Sequence, residues 1–567
     1  MKRSRVFAGV LCAVAAVAVL AAPALKAGSE PLNYADINKI KAEGLQRSQV
    51  MDLASWLTDV YAPRLTGSPM SQKAAEWTVA KLKEYGLVNV KIEPWVNRNG
   101  FERGWTNDKF YLAAVGPEKF PIPGTPTAWT PGTDGLVSGE AVLVTVTTEA
   151  DLVAYKGQLK GKWVLAQAPP DVAAYWKPQA TRHTAEELAA LEAWPAPQPE
   201  FGVTPPGGRA GGPGAPVPAG PPAGGRGAMG AMASRNAFFK AEGVLGTFTT
   251  APRGHGIYTV GGSRAADPAT TLPAIAIAAE HYGRIARILA KKIPVTLEAD
   301  IRNTFHPDPP VFNIVGELPG TDKADEIVML GGHFDTWHAA TGATDNGVGV
   351  AAMMEAMRIL KTTGVKLRRT VRIGLWGGEE QGLLGSREYV AQHFASRQAA
   401  PAAPGAPAAP PAQAGPPGGR GGFGPQGPLE LKPGYDKFSA YFNIDNGTGA
   451  LRGIYLQGND AVAPVFREWM EPFRSLGMTT ITVRNTGGTD HQAFDAVGLP
   501  GFQFIQDEVE YDTMTHHTNL DYFERLQPGD VQKMATIAAG FAYFAANRDE
   551  KLPRKPLTVP VAGRPAQ

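Results

Sequence analysis

Cysteine is almost missing from this chain. Its one thiol is Cys12, within an N-terminal stretch that reads as a removable signal, and Leu11 precedes it rather than the small residue of a lipid-attachment site. The mature protein is therefore expected to have neither disulfide nor thiolate, so any metal must be held by His, Asp and Glu. A surplus of one charge is missing as well. The 55 Lys and Arg residues nearly balance 53 Asp and Glu, which removes the electrostatic case for nucleic acid as a partner. Past the N-terminal stretch, no apolar run approaches the roughly 20 residues of a membrane-spanning helix. There is no Walker-type phosphate loop and no Gly-x-Ser-x-Gly elbow, and the second absence weakens a serine-hydrolase reading.

What is present begins with an address label. Lys2, Arg3 and Arg5 form a basic start, Val6 to Ala21 is apolar, and Ala22-Pro23-Ala24 or Leu25-Lys26-Ala27 offers a cleavage site. Residues 1–27 read as a bacterial-type secretory signal, which implies a secreted or periplasmic protein with no membrane contact after cleavage. The 567 residues are too many for one core, so two or more domains are expected. Helical spacing at 34–45, 48–60 and 71–85, then a strand at 89–94, makes up an N-terminal part, 28–115. Residues 116–298 read as a β-rich insert, because short runs such as 141–146, 163–166 and 272–277 are separated by Gly and Pro.

From residue 310 the pattern alternates. Strands are expected at 311–317, 326–332, 369–376, 438–445, 479–485 and 501–506, and helices at 346–362, 382–394, 461–475, 490–497 and 528–546. That alternation is the α/β signature. The early helices would join 299–550 in one α/β domain interrupted by the insert, with 551–567 as a C-terminal tail. Two stretches, 203–233 and 398–428, are dominated by Gly, Pro and Ala. They cannot bury enough apolar surface to offset ordering entropy and are expected to be disordered loops.

The candidate chemistry gathers at strand ends, where sites of open α/β sheets assemble. His333 and Asp335 follow the apolar run 327–330 and share a face if the backbone stays extended. A carboxylate beside a ligating imidazole fixes its tautomer and orientation. Asp345 precedes a helical pattern, so it can be an N-cap or a metal ligand. Glu379 and Glu380 end the run 371–376 after two glycines, and a nearby cation makes such a carboxylate pair tolerable. Asp445 closes the run 438–444. One of His516 and His517 is a candidate ligand, with Asp521 as its orienter. Asp490 and His491 are candidates for contacting substrate or bracing a ligand, or Asp490 is only an N-cap. Histidine and carboxylate together suit zinc.

The motifs Gly332-His333-Phe334-Asp335-Thr336, Gly342-Ala343-Thr344-Asp345-Asn346-Gly347, Trp376 to Ser386, Asn443-Ile444-Asp445 and His517-Thr518-Asn519-Leu520-Asp521 resemble those of the co-catalytic zinc exopeptidases. That family includes bacterial leucyl aminopeptidases and glutamate carboxypeptidases. The motifs spread over about 300–550, residues 34–94 fit the family's N-terminal helices and strand, and 116–298 resembles the protease-associated domain of some members. The insertion point resembles the carboxypeptidase Q-like branch.

The resemblance implies a mixed sheet sandwiched by helices and a site for two zinc ions. Asp345 would bridge the metals, His333 and Asp445 would complete one site, and Glu380 and His517 the other. His517 is preferred to His516 because the family's histidine has an acidic residue four positions on, here Asp521. Glu379 would be the general base of a metal-activated water, and Asp335 would steer His333. Where relatives often have Asp-Asp this chain has Asp345-Asn346, and the peptide between them is expected to be cis. Peptides are the implied substrates. An aminopeptidase of the same family is the main alternative, and a glutaminyl cyclase-like acyltransferase and a non-catalytic binding protein are weaker ones. The oligomeric state is open, a homodimer included.

Overall fold

The computed structural model describes residues 32–146, 148–193, 235–399 and 426–556. The expected signal at 1–27, nearly all of the loops expected at 203–233 and 398–428, and most of the tail lie outside the described residues.

A mixed eight-stranded sheet organises the peptide chain. Its order is Val88–Pro94, Phe312–Leu318, Arg369–Trp376, Lys323–His333, Phe438–Asn443, Gly501–Gln506, Leu451–Tyr455 and Thr480–Thr482. The four strands from Arg369–Trp376 to Gly501–Gln506 run parallel. Three of them, and Lys323–His333 from Val328 onward, are buried on both faces, which explains their near-continuous apolar character. Alternation still sorts the side chains. Val328 and Leu330 enter one core with the helices Tyr34–Gln46, Val348–Thr363 and Pro528–Asn547. Met329 enters the opposite core with Trp376, Tyr389 and Phe494, under Leu384–His393 and His491–Asp495. The sheet is therefore sandwiched by helices. Register brings His333 opposite Trp376, and Gly331 opposite Asn443, so the carboxyl ends of three neighbouring strands open at one edge.

Two expected elements come out shorter. The helix expected at 461–475 is α-helical only over Ala463–Met470 and tightens into a 3-10 turn at Glu471–Leu476, because Pro472 supplies no N–H to continue the helix. The edge strand expected at 479–485 pairs only over Thr480–Thr482.

A second eight-stranded sheet draws on residues between 103 and 307. Its longest strands, Arg103–Gly116 and Thr296–Pro307, pair antiparallel. Its core collects Trp163, Phe248, Ile275, Tyr282 and Ile285, the last two from the amphipathic helix Ala279–Ala290. Among the described residues no helix is long and apolar enough to cross a membrane.

Candidate metal centre

The loop after Lys323–His333 and the turn before Val348–Thr363 carry the centre of the site. Residues Ala343–Gly347 form one wide turn, and Asp345 and Asn346 depart from helical geometry, at φ −131° and −127°. The Asp345–Asn346 peptide is cis, as the resemblance implies. The capping role that Asp345 shared in sequence falls to its neighbour. Asn346 Oδ1 accepts the Gly349 N–H at 3.1 Å, and its amide donates to Ile444 O at 2.7 Å. The Asp345 carboxylate is thereby left to face the site.

Asp345 presents its two oxygens to two different histidines. Oδ1 lies 3.2 Å from His333 Nε2, and Oδ2 lies 3.3 Å from His517 Nε2. His333 Nε2 also stands 3.5 Å from Asp445 Oδ1, and His517 Nε2 stands 2.8 Å from Glu380 Oε2. His516 is more distant, its Nε2 being 3.9 Å from Asp345 Oδ2, with its ring against Tyr511 and His517. Ligand atoms of His333, Asp345 and Glu380 fall within 4.8 Å of one another.

The electrostatics are those of crowded carboxylates and imidazoles. Burial works against charging His333, yet Asp445, Glu379 and Asp345 hold its pKa well above the usual range. Burial likewise opposes the charge on His517, which Glu380 and Asp345 push up to about 9. Burial pushes Glu380 up to about 7 against the pull of His517. Burial, with Asp445, Asp490 and Glu380, raises Glu379 well above the usual carboxylate range, against the pull of His333. Asp345 stays low despite burial, because three histidines surround it.

These residues fit divalent cations. The donors are imidazole nitrogen and carboxylate oxygen, the set that zinc accepts. Asp345 Oδ2 and Glu380 Oε1 are buried and accept no hydrogen bond, an arrangement costly for an anion that faces no cation. His333, Asp345 and Asp445 can hold one ion, and Asp345, Glu380 and His517 another.

The residues around this group differ from expectation in two contacts. The Asp335 carboxylate was expected to steer His333, but His333 Nδ1 donates to the backbone carbonyl of Asp335 at 2.9 Å, and the carboxylate is 3.9 Å away. That carboxylate instead accepts the N–H groups of Glu379 at 3.0 Å and Glu380 at 3.4 Å. The short two-residue spacing turns the carbonyl, not the side chain, toward the ring. Asp521 was expected to orient the histidine, but it accepts the N–H groups of Thr344 at 2.6 Å and Asp345 at 3.1 Å, fixing the wide turn. Of the remaining candidates, Asp490 is buried within reach of the charge on Glu379, and burial pushes it up to about 7. His491 Nε2 donates to Thr486 O at 3.1 Å and braces its own loop.

Sequence reasoning passed over residues 64–66 as part of a loop. Arg64 is fully buried and donates to the carbonyls of Phe334 at 2.9 Å, Leu57 at 2.5 Å and Gly342 at 3.3 Å. Thr66 bonds Asp335 and Gly378. The available signal was a lone arginine and a lone threonine in an otherwise ordinary turn sequence. Trp337 was also passed over. With Ala339, Ala340, Gly342 and Thr518 it walls a small cleft beside Asp345, Glu380 and His517.

Residues 313–542 match the model of Peptidase family M28. Over 288 residues the chain is 26% identical to Carboxypeptidase Q of Mus musculus, covering 51% of this chain and 53% of that protein. The chain thus spans about half the length of the curated relatives it matches. The crystal structure of a Peptidase M28 precursor from Shewanella amazonensis SB2B superposes with a TM-score of 0.61 at 22% identity, over 92% of this chain and 98% of that one. The structure of a zinc aminopeptidase from Bacillus subtilis superposes with a TM-score of 0.50 at 16% identity, over 88% of this chain and 95% of that one. Both superpositions are likenesses of fold. The fold is that of these two peptidase structures. The likeness to Peptidase family M28 lies in residues 313–542.

Proposed function

We propose that this protein is a zinc-dependent exopeptidase of short peptides, carboxypeptidase Q-like in its end preference, with two zinc ions per chain. The observation that carries the reading is the placement of the two Asp345 oxygens against His333 and His517. In this reading Asp345 would serve both metals, with His333 and Asp445 holding one and Glu380 and His517 the other. When bound, the metals supply Lewis acidity and lower the pKa of a water.

The chain's own residues do the rest. Glu379 receives the proton of the attacking water and returns it to the leaving amine. Asp335, through the N–H groups of Glu379 and Glu380, keeps both glutamates in register with the His333 loop. The reading keeps a protease-associated-like insert between the two parts of the α/β domain, expected at 116–298 and spanned by the second sheet over 103–307. It also keeps 1–27 as a signal directing the chain to a secreted or periplasmic location.

The test is hydrolysis of one dipeptide in free, N-acetylated and C-amidated forms. Cleavage of the free and acetylated forms alone supports a requirement for the free carboxylate and the carboxypeptidase Q-like reading. Cleavage of the free and amidated forms alone replaces it with an aminopeptidase. Absence of cleavage together with absence of bound zinc overturns the enzyme reading in favour of a binding protein.

A further inference from the structure

His517 has a left-handed backbone, φ 57°, a conformation uncommon outside glycine that persists where the surroundings enforce it. The enforcing contacts come from residues 256–260. This segment lies between Gly246–Thr249 and Ala274–Ile277, two strands of the second sheet. The Val260 N–H donates to His517 O at 3.0 Å. Thr259 and Thr518 form an antiparallel bridge. The Asn519 N–H donates to Tyr258 O at 3.3 Å.

The Asn519 side chain completes the junction as a peptide group would. Its Oδ1 accepts the Tyr258 N–H at 2.9 Å, and its Nδ2 donates to Gly256 O at 3.2 Å. Asparagine offers an acceptor oxygen and a separate donor nitrogen here, whereas aspartate keeps the acceptor alone and leucine keeps neither. On the catalytic side of the turn, His517 Nε2 reaches Glu380 and Asp345. The ring position is therefore set from behind by a segment remote in sequence.

We propose that Asn519 is a positioning residue: by pairing with residues 256–260 it makes the second sheet a working part of the metal centre, holding His517 where it can ligate. The inference rests on the metallopeptidase reading above and adds a role in the metal centre for the 103–307 region, none of whose residues lines the cleft. Partners that orient a metal ligand typically contribute about 10-fold to 100-fold in affinity or activity.

The test compares the full-length protein with Asn519→Leu and Asn519→Asp. Zinc affinity is read by competition with a chromophoric chelator, and turnover of a dipeptide is read as kcat and KM separately. Asn519→Leu should weaken the weaker-binding zinc by about 10-fold to 100-fold. It should lower kcat with little change in KM at subsaturating zinc, and excess zinc should recover kcat. Asn519→Asp, which keeps the Tyr258 bond, should fall between. If Asn519→Leu does not fold, Asn519→Asp decides alone: weakened zinc supports the proposal and unchanged zinc overturns it. Wild-type affinity and kcat in folded Asn519→Leu overturn it as well. A wild-type protein that binds no zinc would instead overturn the metallopeptidase reading, so the two failures are distinguishable.

Discussion

The Thr66 hydroxyl donates to Asp335 Oδ2 at 2.8 Å and accepts the Gly378 N–H at 3.2 Å. One small side chain from the N-terminal part thus ties the His333 loop to the turn that carries Glu379 and Glu380. Both bonds are buried, so a group left without its partner costs about 1–3 kcal/mol. Thr66→Val keeps the shape and removes the hydroxyl. Its kcat should fall by about 10-fold or more, while Thr66→Ser should stay near wild type. Equal turnover in the two variants would show that the hydroxyl does not set the turn.

Arg64 acts on the same loop by a different route. Burial lowers its pKa to about 10, against the nearby charges of Asp521, Asp335 and Asp345, so it remains a cation at neutral pH. Its planar fork satisfies several carbonyls at once, which a lysine ammonium cannot reproduce. Arg64→Lys should lower unfolding free energy by about 2 kcal/mol, and Arg64→Met by about 3 kcal/mol or more, because buried carbonyls lose charged donors. Urea midpoints at constant slope measure both.

Acid stability has a specific contributor at His338. Burial lowers its pKa from 6.5 to about 4, although Nε2 donates to Pro126 O at 2.7 Å. The unfolded chain therefore takes up a proton below pH 6.5 that the folded chain refuses until about pH 4. Stability is full above 6.5 and falls as pH drops through that window, by about 3 kcal/mol at most. His338→Phe removes this titration. Its stability should decline less steeply than wild type between pH 6.5 and 4, and parallel declines would remove His338 as the cause.

Asp345 spans the two histidines, so its neutralisation is expected to affect both metals. On the proposed two-zinc reading, Asp345→Asn should bind less than one zinc per chain where wild type is expected to bind two, as measured by metal analysis after gel filtration. Full retention of two ions would contradict a bridging role.

The parts of this architecture legible in sequence are those with local signals. Apolar runs ending in Gly-Gly or in a carboxylate gave away the central strands, and His333, Asp345, Glu380 and His517 stand at or just past their ends or in adjoining turns. Amphipathic spacing gave away the helix Pro69–Glu84. The rest depends on contacts between distant segments. Thr66 meets Asp335 across 269 positions, and Asn519 meets Tyr258 across 261. Neither polar residue departs from what a surface turn would carry, so no periodicity marks it. The roles of Asp335 and Asp521 were misjudged for a related reason: sequence spacing shows that a carboxylate is near a histidine, but not whether its side chain or its carbonyl turns toward the ring.

The central claim is that Glu379 moves the proton while its neighbours hold the metals. The most direct measurement is kcat of Glu379→Gln with its zinc content determined on the same sample. The account predicts two zinc ions per chain and a kcat lowered by about 10²-fold to 10⁴-fold. Near wild-type kcat in the fully metal-loaded variant would contradict it.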